Sequence, residues 1–393
     1  MKNEGIAPPL FRAGADDLRR IDSEVAEIGA IQRQLRDLHP DLKCLDRVAH
    51  QYQIAGSKVF LRVAMEIPEG FSGVGLFVPG IEHVGIGRLS TGLGTPHIET
   101  NPDFLGLRAS FLTASGKRVD FLAFNNPTSP CDNHGDLMHV LQATADAAGS
   151  HSAVPSNLAT VHARMKATLV KRMEPAKSEA IMAHIAKQSA RTAHSSTAYQ
   201  PYWTGVVEVN GTLGKFTLTP ITDENFERLM YPGERYLTQD WVKRQSSRDI
   251  TFCIYWISYL DERRTPLERL TRPWVENHKR FVGQLVFPRA DARSNEAKLW
   301  AALAGEMGAN PANWVSEAHG SVREPSTEFG LARKFAYDRS AQGRDALPLD
   351  AFRKALESGT IDAQLAAELR RRIERKRQLH HVDRAPSGLH VDF

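Results

Sequence analysis

The residues best suited to chemistry fall in four short stretches, none of which decides a reaction alone. Arg47-Val48-Ala49-His50 places a histidine, the side chain that titrates closest to neutral pH, three residues after a guanidinium. A lone histidine before a strand is more often a hydrogen-bonded structural residue, so His50 gains weight only from company. Arg88-Leu89-Ser90-Thr91 closes a β-rich run. Beside the strand that follows His50, it would bring Arg88 and Arg47 toward one anion and the Ser90 hydroxyl to the imidazole. Asp120 to Pro127 reads as a strand running into an Asn-Asn-Pro turn. Turn chemistry accounts for Asn126, which precedes proline and is constrained by it, and leaves Asn125 as the carboxamide free for a site. In Arg333-Lys334-Phe335-Ala336-Tyr337, with Arg344 seven residues on, two guanidiniums and a phenol share one face of an expected helix. A cation one turn away favours phenolate over phenol, and phenolate is an anionic oxygen ligand suited to ferric iron. The same stretch by itself also reads as an ordinary amphipathic helix with a partly buried tyrosine.

The elements that must position these side chains follow from periodicity. Leu18, Ile21, Val25, Ile28, Ile31 and Leu35 recur at helical steps, which predicts one amphipathic helix over Ala15 to His39, an arm packed on the main body. Short β-rich runs come next, at Lys58 to Met65, Val74 to Val78, Val84 to Leu89, Leu107 to Thr113 and Arg118 to Phe124. Their short separations require antiparallel pairing. A helical insert over 136–194 precedes further strands at Gly205 to Val209, Lys215 to Thr219, Ile250 to Tyr259 and Phe281 to Phe287, and the chain from Asn295 onward is expected to be helical. The implied class is α+β: a closed antiparallel β-barrel of about eight strands with flanking helices. The expected division is an arm over 1–43, a barrel domain over 44–344 and a helical tail over 345–393.

Composition excludes more than it identifies. The chain has 393 residues, enough core to enclose a large cofactor, and a formal net charge of only +4, which argues against nucleic acid as a partner. Cys44, Cys131 and Cys253 show no metal or disulfide spacing. The amino terminus lacks an apolar signal segment, and Ile250 to Leu260 is too short to cross a bilayer. A cytoplasmic protein without a transmembrane segment is therefore expected. In the tail, Arg370, Arg371, Arg372, Arg375, Lys376 and Arg377 lie beside a stripe of Leu365, Leu369 and Ile373, which reads first as a solvated helix docked by its apolar side, with an anionic partner as the alternative.

Taken in order, these stretches resemble the haem catalase superfamily over about Leu45 to Pro127 and Tyr199 to Arg344, with the arm, the insert and the tail unmatched. The family's Arg-x-x-His is matched by Arg47 and His50, its Arg-Phe-Ser-Thr by Arg88, Ser90 and Thr91, and its Asp-x-x-Gly and strand-end Asn by Asp103, Gly106 and Asn125. Its proximal Arg-x-x-x-Tyr with a later Arg is matched by Arg333, Tyr337 and Arg344, and Thr265 to Glu268 matches a turn of the barrel's second half. The resemblance implies haem b bound through Tyr337 as axial iron ligand. Arg333 would hydrogen-bond the phenolate, while Arg47, Arg88 and Arg344, with Thr91, serve the cofactor. His50 would act as general acid and base in O–O cleavage, Ser90 would orient it and Asn125 would bind the peroxide.

Several departures bear on the substrate. Pro127 to His134 lacks the phenylalanines that ring the distal pocket of large catalases, Ala49 is smaller than the family residue before the distal histidine, and Asp338 follows Tyr337 without the usual spacer. A looser cavity favours organic hydroperoxides beside hydrogen peroxide. Hydrogen peroxide dismutation, peroxidase activity, fatty-acid hydroperoxide lyase or isomerase chemistry and a specialised biosynthetic haem oxygenase all remain open. A non-catalytic haem carrier or sensor would need neither His50 nor Asn125, and a haem-free barrel serving as an interaction module would purify colourless. A homo-oligomer is left open by the resemblance.

Overall fold

A computed structural model of the chain describes residues 13–38, 47, 49–50, 52–92, 99, 103–148, 158–190, 196–221, 235–267, 269–314, 316–317, 320–323, 327–344 and 346–380. Cys44, Glu268 and the side chains of Lys376 and Arg377 lie outside the described set. The order is α1 (Ala15–Val25), α2 (Glu27–Leu38), β1 (Gln53–Val63), β2 (Glu82–Thr91), β3 (Leu105–Leu112), β4 (Arg118–Phe124), α3 (His134–Ala148), α4 (Leu158–Leu169), α5 (Pro175–Ala190), β5 (Tyr202–Val209) and β6 (Thr212–Pro220). Then come α6 (Tyr236–Ser247), β7 (Ile250–Ser258), β8 (Arg280–Phe287), α7 (Asn295–Glu306), β9 (Ser316–Glu317), β10 (Gly320–Arg323), α8 (Glu328–Gln342), α9 (Leu349–Ser358) and α10 (Ala363–His380).

Eight strands pair antiparallel in the order β4-β3-β2-β1-β8-β7-β6-β5, and β4 pairs back to β5 through Ala123↔Thr204 and Phe124↔Trp203, which closes the barrel. Closure leaves no exposed edge among the eight. The two halves meet at β1 and β8, and α3, α4 and α5 occupy the connection from β4 to β5. The core is aromatic. Phe71 meets Trp256 edge-on with centroids 5.0 Å apart, Phe121 meets Phe216 at 5.5 Å, and Phe77 stacks on Phe216 at 5.5 Å.

Strand alternation turns β3 into a two-sided element. Leu105, Leu107, Ala109 and Phe111 enter the barrel core, while Gly106, Arg108 and Ser110 fall on the opposite face, toward α7 and the segment that leads to α8. On the neighbouring strand Asp120, 0% exposed, accepts from Ser110, from Arg118 Nε at 2.9 Å, from the Asn310 backbone N–H at 3.0 Å and from Asn313 Nδ2 at 2.7 Å. One buried carboxylate thus ties the barrel to the connection that carries α8. Replacing it strands those donors, so Asp120→Ala is expected to lower unfolding stability by about 3–5 kcal/mol in a urea titration. A loss below 1 kcal/mol would show that water replaces the carboxylate.

The structure departs from the sequence reading in several places. Val74 to Val78 is not a strand but a series of turns with an isolated Val74↔Phe77 bridge, because Gly70, Gly73, Gly75 and Gly80 all take positive φ. The arm breaks at Ala26 into two helices, and Leu18 is exposed, whereas Ile21, Val25, Ile28, Ile31 and Leu35 pack with Met138 and Ala145 of α3 and Ala332 of α8. Helix α6 was not anticipated, and the stretch after Asn295 contains β9 and β10 besides its helices, with β10 joining β5 at Val322↔Val209. In the tail helix Leu365 and Leu369 are buried as the stripe required.

Candidate active site

His50 adopts φ +57°, a left-handed conformation uncommon outside glycine, and its backbone N–H donates to Gly92 O at 2.9 Å. Such strain persists only where the surroundings impose it. Arg88 Nη2 donates to the His50 carbonyl at 2.9 Å, and Arg88 Nε donates to Gln53 Oε1 at 3.2 Å. Asp103 holds the facing loop by accepting from Gly92 N at 2.7 Å and Phe104 N at 2.6 Å. The imidazole lies with Nδ1 3.3 Å from Ser90 Oγ and its centroid 5.1 Å from the Phe124 ring.

The residue is half-buried. Burial, reinforced by the Arg88 and Arg47 guanidiniums and opposed by the Asp103 carboxylate, pushes the imidazole pKa down to about 4. The ring is neutral at pH 7 and able to accept a proton. Gly106 leaves it room: a Cβ there would lie 2.6 Å from His50 Nδ1 and 3.3 Å from Ser90 Oγ. Gly106→Ala is therefore expected to displace the imidazole and lower any His50-dependent turnover by at least about tenfold, while the circular dichroism spectrum stays unchanged. Full activity in that variant would mean that the ring moves aside without consequence.

Asn125 is 6% exposed, and its carboxamide is engaged: Oδ1 accepts from Leu105 N at 2.8 Å and Nδ2 donates to Gln200 Oε1 at 2.7 Å. One Nδ2 hydrogen can still turn elsewhere. The neighbouring Asn126 is buried too, and its Oδ1 has no hydrogen-bond partner. Gln200 was not anticipated, because no local pattern marks a glutamine that contacts a residue 75 positions away.

Helix α8 begins where the Thr327 hydroxyl accepts from Gly330 N at 3.0 Å. Asn310 Nδ2 donates to Lys334 O at 3.1 Å and to Asp338 Oδ1 at 2.6 Å, a clamp that brackets Tyr337. Asp338, out of register with the family pattern, thus anchors the helix. Arg344 lies beyond the end of α8 rather than on it, and its Nη2 donates to Met307 O at 3.2 Å. Arg47 and Arg88 do not meet on one anion either, since Arg47 Nη2 donates to Gly305 O at 2.6 Å.

These guanidiniums converge with another that the sequence reading missed. Arg108 donates to Met307 O at 3.0 Å and to Ala304 O at 2.8 Å, so Arg47, Arg108 and Arg344 all meet the carbonyls at and just past the end of α7. Terminal helix carbonyls have no intrahelical donors and carry the negative end of the dipole, which attracts cations. Burial pushes the Arg108 pKa down to about 9, with Arg118 and Arg47 acting the same way and Asp120 and the Tyr337 oxygen opposing. The Tyr337 oxygen is close enough to Arg108 to act on its charge, and Arg333 is close enough to Lys215 of β6 to act on that one. A charged residue at 108, in the alternation of a buried strand, was the signal available.

The residue types would fit a metal-bearing group with carboxylate substituents: Arg47, Arg88 and Arg344 as cations, the His50 imidazole, and a phenol, Tyr337, whose oxygen acts on Arg108. Thr91 Oγ1 is buried with no hydrogen-bond partner, a donor left for a ligand. Among the described residues no group of three His, Cys, Asp or Glu side chains could hold a bare metal ion, and no helix is long and apolar enough to cross a membrane.

No protein-family model matches the sequence, and no curated protein matches it. Solved structures do match. A fungal catalase aligns with TM-score 0.57 at 13% identity, covering 76% of this chain and 59% of that one. Catalase A from Saccharomyces cerevisiae aligns with TM-score 0.57 at 16% identity, covering 76% and 61%. A bacterial catalase aligns with TM-score 0.57 at 17% identity, covering 91% and 65%. The chain thus spans about three fifths of the length of these catalases. At such identities the likeness establishes the fold, a catalase-like barrel with flanking helices.

Proposed function

We propose that this chain binds haem b between His50 and Tyr337 and is an oxidoreductase acting on hydrogen peroxide or organic hydroperoxides. One observation carries the reading: an imidazole with a lowered pKa, held by Ser90 over a glycine on a catalase-like barrel. Tyr337 would supply an oxygen ligand to the iron, with Arg333 one turn before it. Arg47, Arg88 and Arg344 would exchange part of their contacts with backbone carbonyls for the cofactor's carboxylates, and Thr91 would donate its hydroxyl. Haem bound there supplies the redox chemistry for cleaving an O–O bond.

The chain's own work is to place and move protons. His50 accepts the proton of an incoming peroxide and returns it to the departing oxygen, a role that suits an imidazole kept neutral across the physiological range. Ser90 fixes the ring through Nδ1. Asn125, held by Leu105 and Gln200, directs its remaining N–H toward the substrate, and Phe124 limits water beside the imidazole.

Organic hydroperoxides gain support from the helical insert. Phe104, next to Asp103, packs into an apolar cluster containing Val140, Met165, Met182 and Ile185. Cys131, from the Pro127 to His134 segment, belongs to the same cluster, so the insert sets apolar surface beside Phe104. The test is the visible spectrum of the purified protein, followed by addition of hydrogen peroxide and then a fatty-acid hydroperoxide. A ferric haem band with oxygen release selects dismutation, and turnover of the lipid peroxide alone selects the organic class. A haem band without turnover of either indicates a carrier or sensor, and no band after haem supplementation rejects the proposal.

A further inference from the structure

A patch at the far end of β1 from His50 carries features that the peroxide chemistry does not use. Nine large apolar side chains are exposed among the described residues, and four of them, Met65, Val78, Ile81 and Phe281, come from chain segments that touch. The Val63 N–H donates to Ile81 O at 2.9 Å, the Ile81 N–H to Val78 O at 3.1 Å and the Ala64 N–H to Val282 O at 2.9 Å. Met65 lies across Gly80, where a Cβ would stand 2.6 Å from its Sδ. The Phe281 ring is steadied by Tyr255, with centroids 5.7 Å apart, and so is presented on a fixed strand. Single exposed apolar residues are ordinary on a protein surface, but a contiguous group marks a face that binds something.

The charges beside this group are of both signs. A shallow open cleft of about 590 Å³ is lined by Ile67, Pro68 and Phe281 together with Glu66, Glu69 and Arg280. All three charged side chains are exposed, and among the described residues no ion pair or side-chain hydrogen bond reaches any of them. Charges nearby are satisfied locally instead: Arg62 pairs with Glu82 at 2.7 Å, and Lys279 pairs with Glu276. An anionic membrane or a polyanion does not complement a rim with two carboxylates to one guanidinium, because like charges brought together are costly.

We infer that this patch is the contact face of an isologous dimer, with a second copy of the chain seated on it about a two-fold axis. In such a contact one patch serves both copies, so it must complement itself. An apolar centre with a cation on one side and two carboxylates on the other does so. The rotation brings Arg280 to the partner's Glu66 and Glu69, and lays the apolar centre of each copy on the other. The contact lies away from His50, so it stands or falls independently of haem.

The test is sedimentation velocity of the full chain over micromolar concentrations. Wild type is expected to dimerise, and Phe281→Ser to raise the dissociation constant at least about tenfold, since aromatic anchors carry much of an interface's affinity. Two charge reversals distinguish this face from any other. Arg280→Glu alone, and Glu66→Arg combined with Glu69→Arg, each set like charges against one another and should dissociate the dimer. Mixed in equal amounts, the two reversed proteins set opposite charges together on both sides of the axis, and a mixed dimer is expected to form. Wild type that stays monomeric, a dimer that survives both reversals, or folded reversed proteins that fail to associate with each other overturns the inference. Hydrogen exchange checks wild type without any variant: amides of residues 64–69 and 280–282 should slow as concentration rises, and exchange there that ignores concentration overturns the inference as well.

Discussion

His50→Ala is expected to lower peroxide turnover by about 10²–10⁴-fold while the haem spectrum persists, because on the proposed reading the change removes the proton carrier and leaves Tyr337 and the arginine cluster in place. The pH dependence provides a sharper check. With the folded-state imidazole at about 4, the base remains competent well below the ordinary histidine value of 6.5, so the acid limb of kcat/KM is expected near pH 4. Stability follows the same group with a definite sign. The unfolded chain binds the proton more tightly than the folded one, so folding loses free energy as pH falls from 6.5 to 4, and the loss levels off below the folded value. At 1.36 kcal/mol per pKa unit the full difference is about 3 kcal/mol. Urea midpoints at pH 7 and pH 4.5 should therefore fall further apart in wild type than in His50→Ala. A variant with at least a tenth of wild-type turnover would remove His50 from the chemistry.

The barrel was legible because alternation is a local property. Leu107, Ala109 and Phe111 alternate with Arg108 and Ser110, and the structure sends the two sets to opposite faces. The strands at Arg118 to Phe124 and Ile250 to Ser258 were visible for the same reason, as was the buried stripe of the arm. Val74 to Val78 misled because apolar residues spaced by Gly73 and Gly75 imitate alternation, although those glycines turn the chain into the left-handed region. Helix α6 was hidden for the opposite reason. Its buried residues include Asp240, Arg244 and Gln245 beside Tyr236, Leu237 and Trp241, so no clean apolar stripe announces it. Arg244 stacks on Tyr199 and pairs with Asp240 at 2.8 Å, contacts made only after folding.

The distal half of the site was legible from short segments because its geometry is set by adjacent strands. Ser90 and Gly106 are register partners on β2 and β3, and His50 enters beside them. The proximal half was not, because what organises it is the end of α7. Arg344 reaches Met307 from beyond α8, Arg108 reaches the same carbonyl from β3, and Asn310 clamps α8 from the following loop. None of these residues belongs to a spacing motif, and each is placed by a partner far away in sequence.

That arrangement makes Tyr337→Phe the variant with the largest expected effect on cofactor retention. Asn310 holds α8 through Lys334 O and Asp338, Arg339 pairs with Asp22 of α1 at 2.8 Å, and the Phe335 and Ala336 side chains pack against the arm. The backbone around position 337 is therefore fixed by contacts that do not involve the phenol oxygen, and far-ultraviolet circular dichroism and the urea midpoint should match wild type closely. The oxygen itself lies near enough to Arg108 to act on its charge, as the Asp120 carboxylate also does. Without it, the proposed iron site would lose its oxygen donor from this helix. The purified variant is expected to lose the ferric haem band or to retain less than about a tenth of the wild-type haem per chain, since an axial ligand contributes directly to binding. Loss of haem with an intact fold would assign the ligand to Tyr337. An unchanged band would instead direct attention to the arginine cluster at the end of α7 as the main source of affinity, with the iron held by a different donor.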